Sequence, residues 1–167
     1  MKRRSWFAAL SLTVVPLAVL TAVPAAQAVG AGSGTAAVHQ SDSRLSRPHP
    51  ELNGKRVKGI NGPAIYLILD GKRRWIPNPD TYNNLFRGWD GIQSVVDINS
   101  IDDGGQLSDG AILGKSPNAP QVYLISNGVK RWITSPAAMD KYDFAWNKIV
   151  VLSPVAIGSI PTGANIS

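Results

Sequence analysis

The chain has 167 residues, no cysteine and a formal net charge of +6. Without cysteine there is neither a disulfide framework nor thiolate chemistry, so a hydrophobic core alone must hold any folded part together. Three of the 17 Lys and Arg residues, Lys2, Arg3 and Arg4, fall within the first 28 positions while all 11 acidic residues follow; the remainder carries a net +3. That charge is too mild to call for nucleic acid as a partner.

In chain order, the three cations precede an apolar run from Trp6 through Leu20, and then Pro24-Ala25-Ala26-Gln27-Ala28. Small side chains at 26 and 28 suit the pocket of signal peptidase, which predicts a secretory signal over residues 1–28 and a secreted, extracellular product. The apolar stretch is shorter than the ~20 residues of a spanning helix, and Pro16 and Pro24 interrupt it, so no membrane span is expected after cleavage. Residues 29–50 are rich in Gly, Ser and Ala without an apolar period and read as a flexible tail, stiffened at its junction by Arg47-Pro48-His49-Pro50. Both histidines, His39 and His49, lie in it. Residues 51–167 suffice for one domain.

Internal repetition dominates that domain. Residues 65–79, Ile-Tyr-Leu-Ile-Leu-Asp-Gly-Lys-Arg-Arg-Trp-Ile-Pro-Asn-Pro, recur without a gap at 122–136 as Val-Tyr-Leu-Ile-Ser-Asn-Gly-Val-Lys-Arg-Trp-Ile-Thr-Ser-Pro, an offset of 57. The same offset aligns Trp89 with Trp146 and Ile92 with Ile149. Leu52-Asn53-Gly54 and Leu107-Ser108-Asp109-Gly110 are weaker echoes upstream of each copy, and Ile160-Pro161-Thr162-Gly163 is a third at the chain end. The repeats are placed at about 52–104 and 107–167, with the C-terminal segment capping the second as a third unit would.

Asp70-Gly71 and Asn127-Gly128 accept positive φ at both central positions of a turn, predicting two-residue type I′ hairpins. Counting outward sets Leu69 opposite Lys72, Leu67 opposite Arg74 and Ile65 opposite Ile76, with Ile68/Arg73 and Tyr66/Trp75 on the other face. Asn78-Pro79 and Ser135-Pro136 each supply an N-cap and a first-turn proline, so a short helix should follow, packing Tyr82, Leu85 and Phe86, or Met139 and Tyr142, onto the hairpin. The β-branched runs 92–98 and 149–152 read as a further strand. Gly104-Gly105 and Pro117-Asn118 are expected as linking turns. The predicted fold is α+β, two tandem hairpin-helix-strand repeats packed into one small domain; a mostly-β arrangement of propeller-like blades is the alternative.

The pattern Tyr-Leu-Ile, Asp/Asn-Gly, Arg-Trp-Ile and Asn/Ser-Pro, followed by Tyr82-Asn83-Asn84-Leu85-Phe86 and Trp89, resembles tandem repeats of secreted and surface proteins of bacteria, actinobacteria among them. The likeness covers nearly all of residues 54–167. It implies an accessory extracellular module, found at times beside hydrolytic domains, and carries no catalytic residue with it.

Chemistry-bearing candidates are few. Neither histidine sits on a rigid scaffold, so a nucleophilic triad or a histidine zinc site has no base or ligand in place. Asp97, Asp102, Asp103 and Asp109 cluster between the repeats and read first as turn-forming aspartates of a solvated loop, with an irregular calcium site left open; they are also the material for a paired-carboxylate hydrolase, the third-ranked function. An EF-hand starting at Asp97 fails, because its fifth, sixth and twelfth positions hold Ile101, Asp102 and Ser108. No cofactor is implied. The repeated tryptophans commonly form a core in so small a domain; where exposed, their indole faces suit sugar rings. Arg74 and Arg131 lie on an otherwise apolar strand face and need partners, either internal acids and carbonyls or a ligand anion or hydroxyl. The candidate ligand-binding set is therefore Trp75, Trp132, Arg74, Arg131, Tyr66 and Tyr123. The expected function is non-catalytic binding of cell-wall or extracellular glycan, with a role as adaptor to another secreted or surface protein as the alternative.

Overall fold

The computed structural model describes residues 45–167. The expected signal segment, His39 and most of the expected tail lie outside the described residues. The first half runs β1 (Arg56–Gly59), β2 (Ile65–Leu69), β3 (Lys72–Trp75), α1 (Pro79–Leu85), β4 (Gln93–Val95) and β5 (Asp103–Gln106). The second runs β6 (Ile112–Lys115), β7 (Val122–Ser126), β8 (Val129–Ile133), α2 (Pro136–Lys141), β9 (Val150–Val151) and α3 (Pro154–Ser159). They form two mixed sheets, ordered β4-β1-β2-β3-β5 and β8-β7-β6-β9. The class is α+β, and the described residues close neither a barrel nor a propeller.

Local chemistry sets the hairpins and helices. Asp70 and Gly71 take φ of 58° and 71°, and Asn127 and Gly128 take 53° and 73°, the paired positive values of a type I′ turn. Register follows from the turn: Leu69 faces Lys72, Leu67 faces Arg74, and Tyr66 faces Trp75, with Tyr123 opposite Trp132 in the second hairpin. The Asn78 side chain caps α1 by accepting the Thr81 N–H, and Ser135 caps α2 by accepting that of Ala138.

Several strands are absent from the sequence-based expectation. β1 and β6 pair antiparallel with β2 and β7, and the offset of 57 extends to them: Arg56 faces Leu67 as Leu113 faces Leu124. β4 and β9 are shorter than the β-branched runs suggested and lie parallel to β1 and β6, matching Val57 to Gln93 and Gly114 to Val150. Gly104-Gly105 is not a linking turn; it belongs to β5, which runs parallel beside β3. Pro117-Asn118 is a turn, but it joins β6 to β7 inside the second sheet. α3 was unforeseen, although Ser153-Pro154 opens it with the same cap chemistry as the other helices.

The chain end takes beside β8 the place that β5 and Leu107 take beside β3. Thr162 and Ile166 bridge Lys130 and Ile133 in parallel, and the Ile166 N–H bonds to the Trp132 carbonyl as that of Leu107 bonds to Trp75. At the other end, the flexible-tail expectation is corrected for its last residues. Arg47 bridges Ile101, and the His49 N–H bonds to the Gly71 carbonyl, so backbone pairing fixes a segment that lacks an apolar pattern of its own.

One hydrophobic cluster spans both halves, joining Leu67, Leu69, Tyr82, Leu85 and Phe86 to Leu107, Leu113, Leu124, Met139, Tyr142 and Phe144. Each buried leucine contributes about 1.5–3 kcal/mol, and neither half could bury this surface alone. The halves also meet through backbone pairing. Phe86 and Phe144 form an antiparallel bridge, in which the Arg87 N–H bonds to the Asp143 carbonyl and the Ala145 N–H to the Leu85 carbonyl. Arg56, 6 % exposed, locks this junction: the guanidinium reaches the Asp143 carboxylate at 2.7 Å, the Tyr82 hydroxyl and the carbonyls of Gly88 and Asp90. Among the described residues no helix is long and apolar enough to cross a membrane.

Candidate functional site

Two surface clefts of about 320 Å³ each stand out because they are built from equivalent residues. The first has Pro63, Ala64 and Ile65 on one wall, residues 75–79 on the other, buried Tyr82 as floor and Trp89 at the rim. The second is Pro120, Gln121 and Val122, residues 132–136, Met139 and Trp146. Every lining position of one cleft maps to a lining position of the other at the offset of 57. Both volumes fall at the small end of the range of ligand pockets.

Local folding explains why the clefts recur. The hairpin register brings a tryptophan to the end of β3 and close to that of β8, and the Asn/Ser-Pro cap then turns the chain into a helix whose buried Tyr82 or Met139 closes the floor. The tryptophans are not core residues. Trp75 is 40 % exposed, Trp89 47 %, Trp132 37 % and Trp146 48 %. The core role expected from composition falls instead to Tyr82, Tyr142, Phe86 and Phe144, because the helix and its exit segment, not the strand ends, face the junction of the halves.

The first cleft is the more heavily braced by side-chain contacts. The Tyr82 ring stacks on Trp89 at 4.1 Å and 20°, and the indole N–H of Trp89 donates to Asn83 Oδ1 at 3.0 Å. The Tyr82 hydroxyl accepts from Arg56 at 2.5 Å and donates to the Gly88 carbonyl. Burial, offset in part by the Arg56 charge, raises its pKa above the ordinary phenol value. Asn78 is engaged on both sides of its amide, by the Thr81 N–H and by Asp109 at 2.6 Å. In the second cleft Ser135 caps its helix and the Thr134 hydroxyl donates to the Ile166 carbonyl, while Gln121 adds an amide to the wall.

The structure brings Trp75 and Trp132 to these clefts and places the other four candidates elsewhere. Arg74 and Arg131 face a hollow at the junction of the halves, together with Asp70. Arg131 forms a bidentate pair with Asp70 at 2.8 and 2.7 Å and donates to the Ala164 and Asn165 carbonyls. Arg74 donates to the Gly104 carbonyl and lies 3.4 Å from Asp70. These are internal acid and carbonyl partners. The Arg131 hydrogen bonds hold the Asp70 carboxyl below its ordinary pKa, against an opposing desolvation. Tyr66 packs over Val57, Ile68 and Ile101 with the Arg73 guanidinium 5.8 Å above its ring, and Lys130 lies over Tyr123 in the same way.

Three of the four aspartates between the repeats serve separate local tasks. Asp97 accepts the Asn99 N–H, Asp103 that of Gly105, and Asp109 bonds to Asn78 and Thr81. Among the described residues no group of three or more His, Cys, Asp or Glu is gathered where a metal could be held. His49 lies 2.7 Å from the Glu51 carboxylate.

Sequence reasoning missed Pro63, Pro120, Tyr82 and Met139 as cleft residues. The available signal was the repeat itself: Pro63 and Pro120 keep the offset of 57 although no periodic pattern covers them. No family model matches the chain, no curated protein matches it, and no solved structure does.

Proposed function

We propose that this is an exported, non-catalytic binding module that holds extracellular glycan in two equivalent tryptophan-lined clefts. The single observation behind this reading is the pairing of the clefts, which retain half-exposed indoles at matching positions where burial does not require them. Partly positive C–H groups of a sugar ring stack on the negative face of an indole. Each tryptophan that anchors a ligand is worth about 2 kcal/mol, or about thirtyfold in Kd.

Retention on insoluble cell-wall and glycan matrices tests the reading. Wild type is expected to be retained, and the double variant Trp75→Ala/Trp132→Ala to wash through while still unfolding cooperatively on heating. Equal retention of the two proteins refutes it. Adaptor function toward a secreted protein is the second reading, favoured by the exposed valines Val96, Val150 and Val151 in or beside the outer strands β4 and β9; it predicts co-purification of a partner that survives loss of both cleft tryptophans.

A further inference from the structure

Resting on the glycan reading above, we infer that the clefts select an uncharged polymer of all-equatorial pyranoses and bind it by ring stacking with no ionic contribution. None of the residues lining either cleft is Asp, Glu, Lys, Arg or His. The nearest buried cation, Arg56, lies behind the Tyr82 hydroxyl and is neutralised by Asp143. A uronate or phosphate entering such a site would shed hydration without meeting a counter-charge, which is strongly unfavourable.

Several polar groups of the lining are likewise engaged inside the protein, the Gln121 amide and the indole N–H groups of Trp75, Trp132 and Trp146 excepted. The Tyr82 hydroxyl, the Asn78 amide and the Trp89 indole N–H all have partners inside the protein, as do the Ser135 and Thr134 hydroxyls of the second cleft. A sugar with axial hydroxyls would press an oxygen onto an indole face, where it meets no donor. A pyranose whose substituents are all equatorial offers two faces made only of C–H groups and keeps its hydroxyls at the ring edge, in water. Flat rings, not hydrogen-bond patterns, are what these walls can read.

The test compares retention on four insoluble or cross-linked matrices, each at about 0.05 M and about 1 M sodium chloride, where the Debye length shrinks severalfold. Two are neutral and all-equatorial, a β-1,4-glucan and a β-1,4 polymer of N-acetylglucosamine; one is an α-1,4-glucan; one is polygalacturonate. Expected is retention on one or both β-1,4 polymers, changed by less than about twofold by salt and lost in Trp75→Ala/Trp132→Ala. Preferential retention on polygalacturonate or on the α-glucan, or binding that falls more than about tenfold in high salt, overturns this inference while leaving a tryptophan-dependent glycan module standing. Retention on no matrix overturns the glycan reading and this inference together.

Discussion

Replacing Asp70 by Asn removes the carboxylate that Arg131 and, more distantly, Arg74 share at the junction of the halves. Asp70 occupies a positive-φ turn position, 58°, and Asn is the residue that the second hairpin uses at the equivalent place, Asn127, so the turn itself survives. What is lost is the charge facing Arg131 and one of the two acceptors that receive its guanidinium at 2.8 and 2.7 Å. A pair about 4 Å apart is worth about 1 kcal/mol in water and about 4 kcal/mol at an effective dielectric of 20. The Asp70 side chain is 43 % exposed, which places the pair toward the watery limit; Arg131 keeps its two carbonyl partners after the change. The expected loss is about 1 kcal/mol, or about 3–5 °C in Tm for a domain of this size. Because the folded-state pKa of Asp70 is depressed, its stabilisation is complete above the unfolded carboxylate value, about 3.9, and disappears as pH falls through the lower folded value. Thermal unfolding of wild type and D70N at a series of pH values is the assay. A gap in Tm near neutrality that closes in acid is expected; equal Tm at neutral pH, or a gap that does not change with pH, refutes the ion-pair assignment.

Other substitutions probe the same frame. Arg56→Met leaves Asp143, the buried Tyr82 hydroxyl and the partly buried carbonyls of Gly88 and Asp90 without their donor and should cost about 3 kcal/mol, measured by denaturant unfolding. Gly54→Ala should cost more than about 1 kcal/mol, because Gly54 has φ of 91° and an added Cβ would lie 2.4 Å from the Lys141 carbonyl oxygen of the other half. Leu67→Ala, in the shared core, should cost about 2–5 kcal/mol, whereas Trp75→Ala, at a half-exposed rim, should cost less than about 1.5 kcal/mol. Equal losses at Leu67 and Trp75 would show that Trp75 is a structural residue.

The hairpins and helix caps were legible in the sequence because their determinants are local. Asp-Gly and Asn-Gly dictate the turn, and Asn-Pro and Ser-Pro dictate the helix start, with no reference to the rest of the fold. β1 and β6 were not, since Arg56-Val57-Lys58-Gly59 and Ile112-Leu113-Gly114-Lys115 become strands only by pairing with β2 and β7. β5 was hidden for the same reason: Asp103-Gly104-Gly105-Gln106 has turn composition, and its pairing with β3 is a non-local choice. Composition also misplaced the tryptophans, because repetition alone does not distinguish a residue kept for the core from one kept at a surface. The clefts required knowing that Pro63 and Trp89, far from Trp75 in pattern terms, converge on it. Arg74 and Arg131 were recognised as needing partners, but Asp70 as the shared acid of both could not be read from their spacing.

The claim that matters most is that four indoles at two equivalent clefts form the ligand-contacting surface. Titrating a soluble β-1,4 oligosaccharide into isotopically labelled protein and following the indole N–H signals of Trp75, Trp89, Trp132 and Trp146, each assigned by substitution, tests it directly. The four signals are expected to shift together while backbone signals at the Asp70–Arg131 junction stay in place. Saturable binding that moves none of the four, or that moves the junction instead, would contradict it.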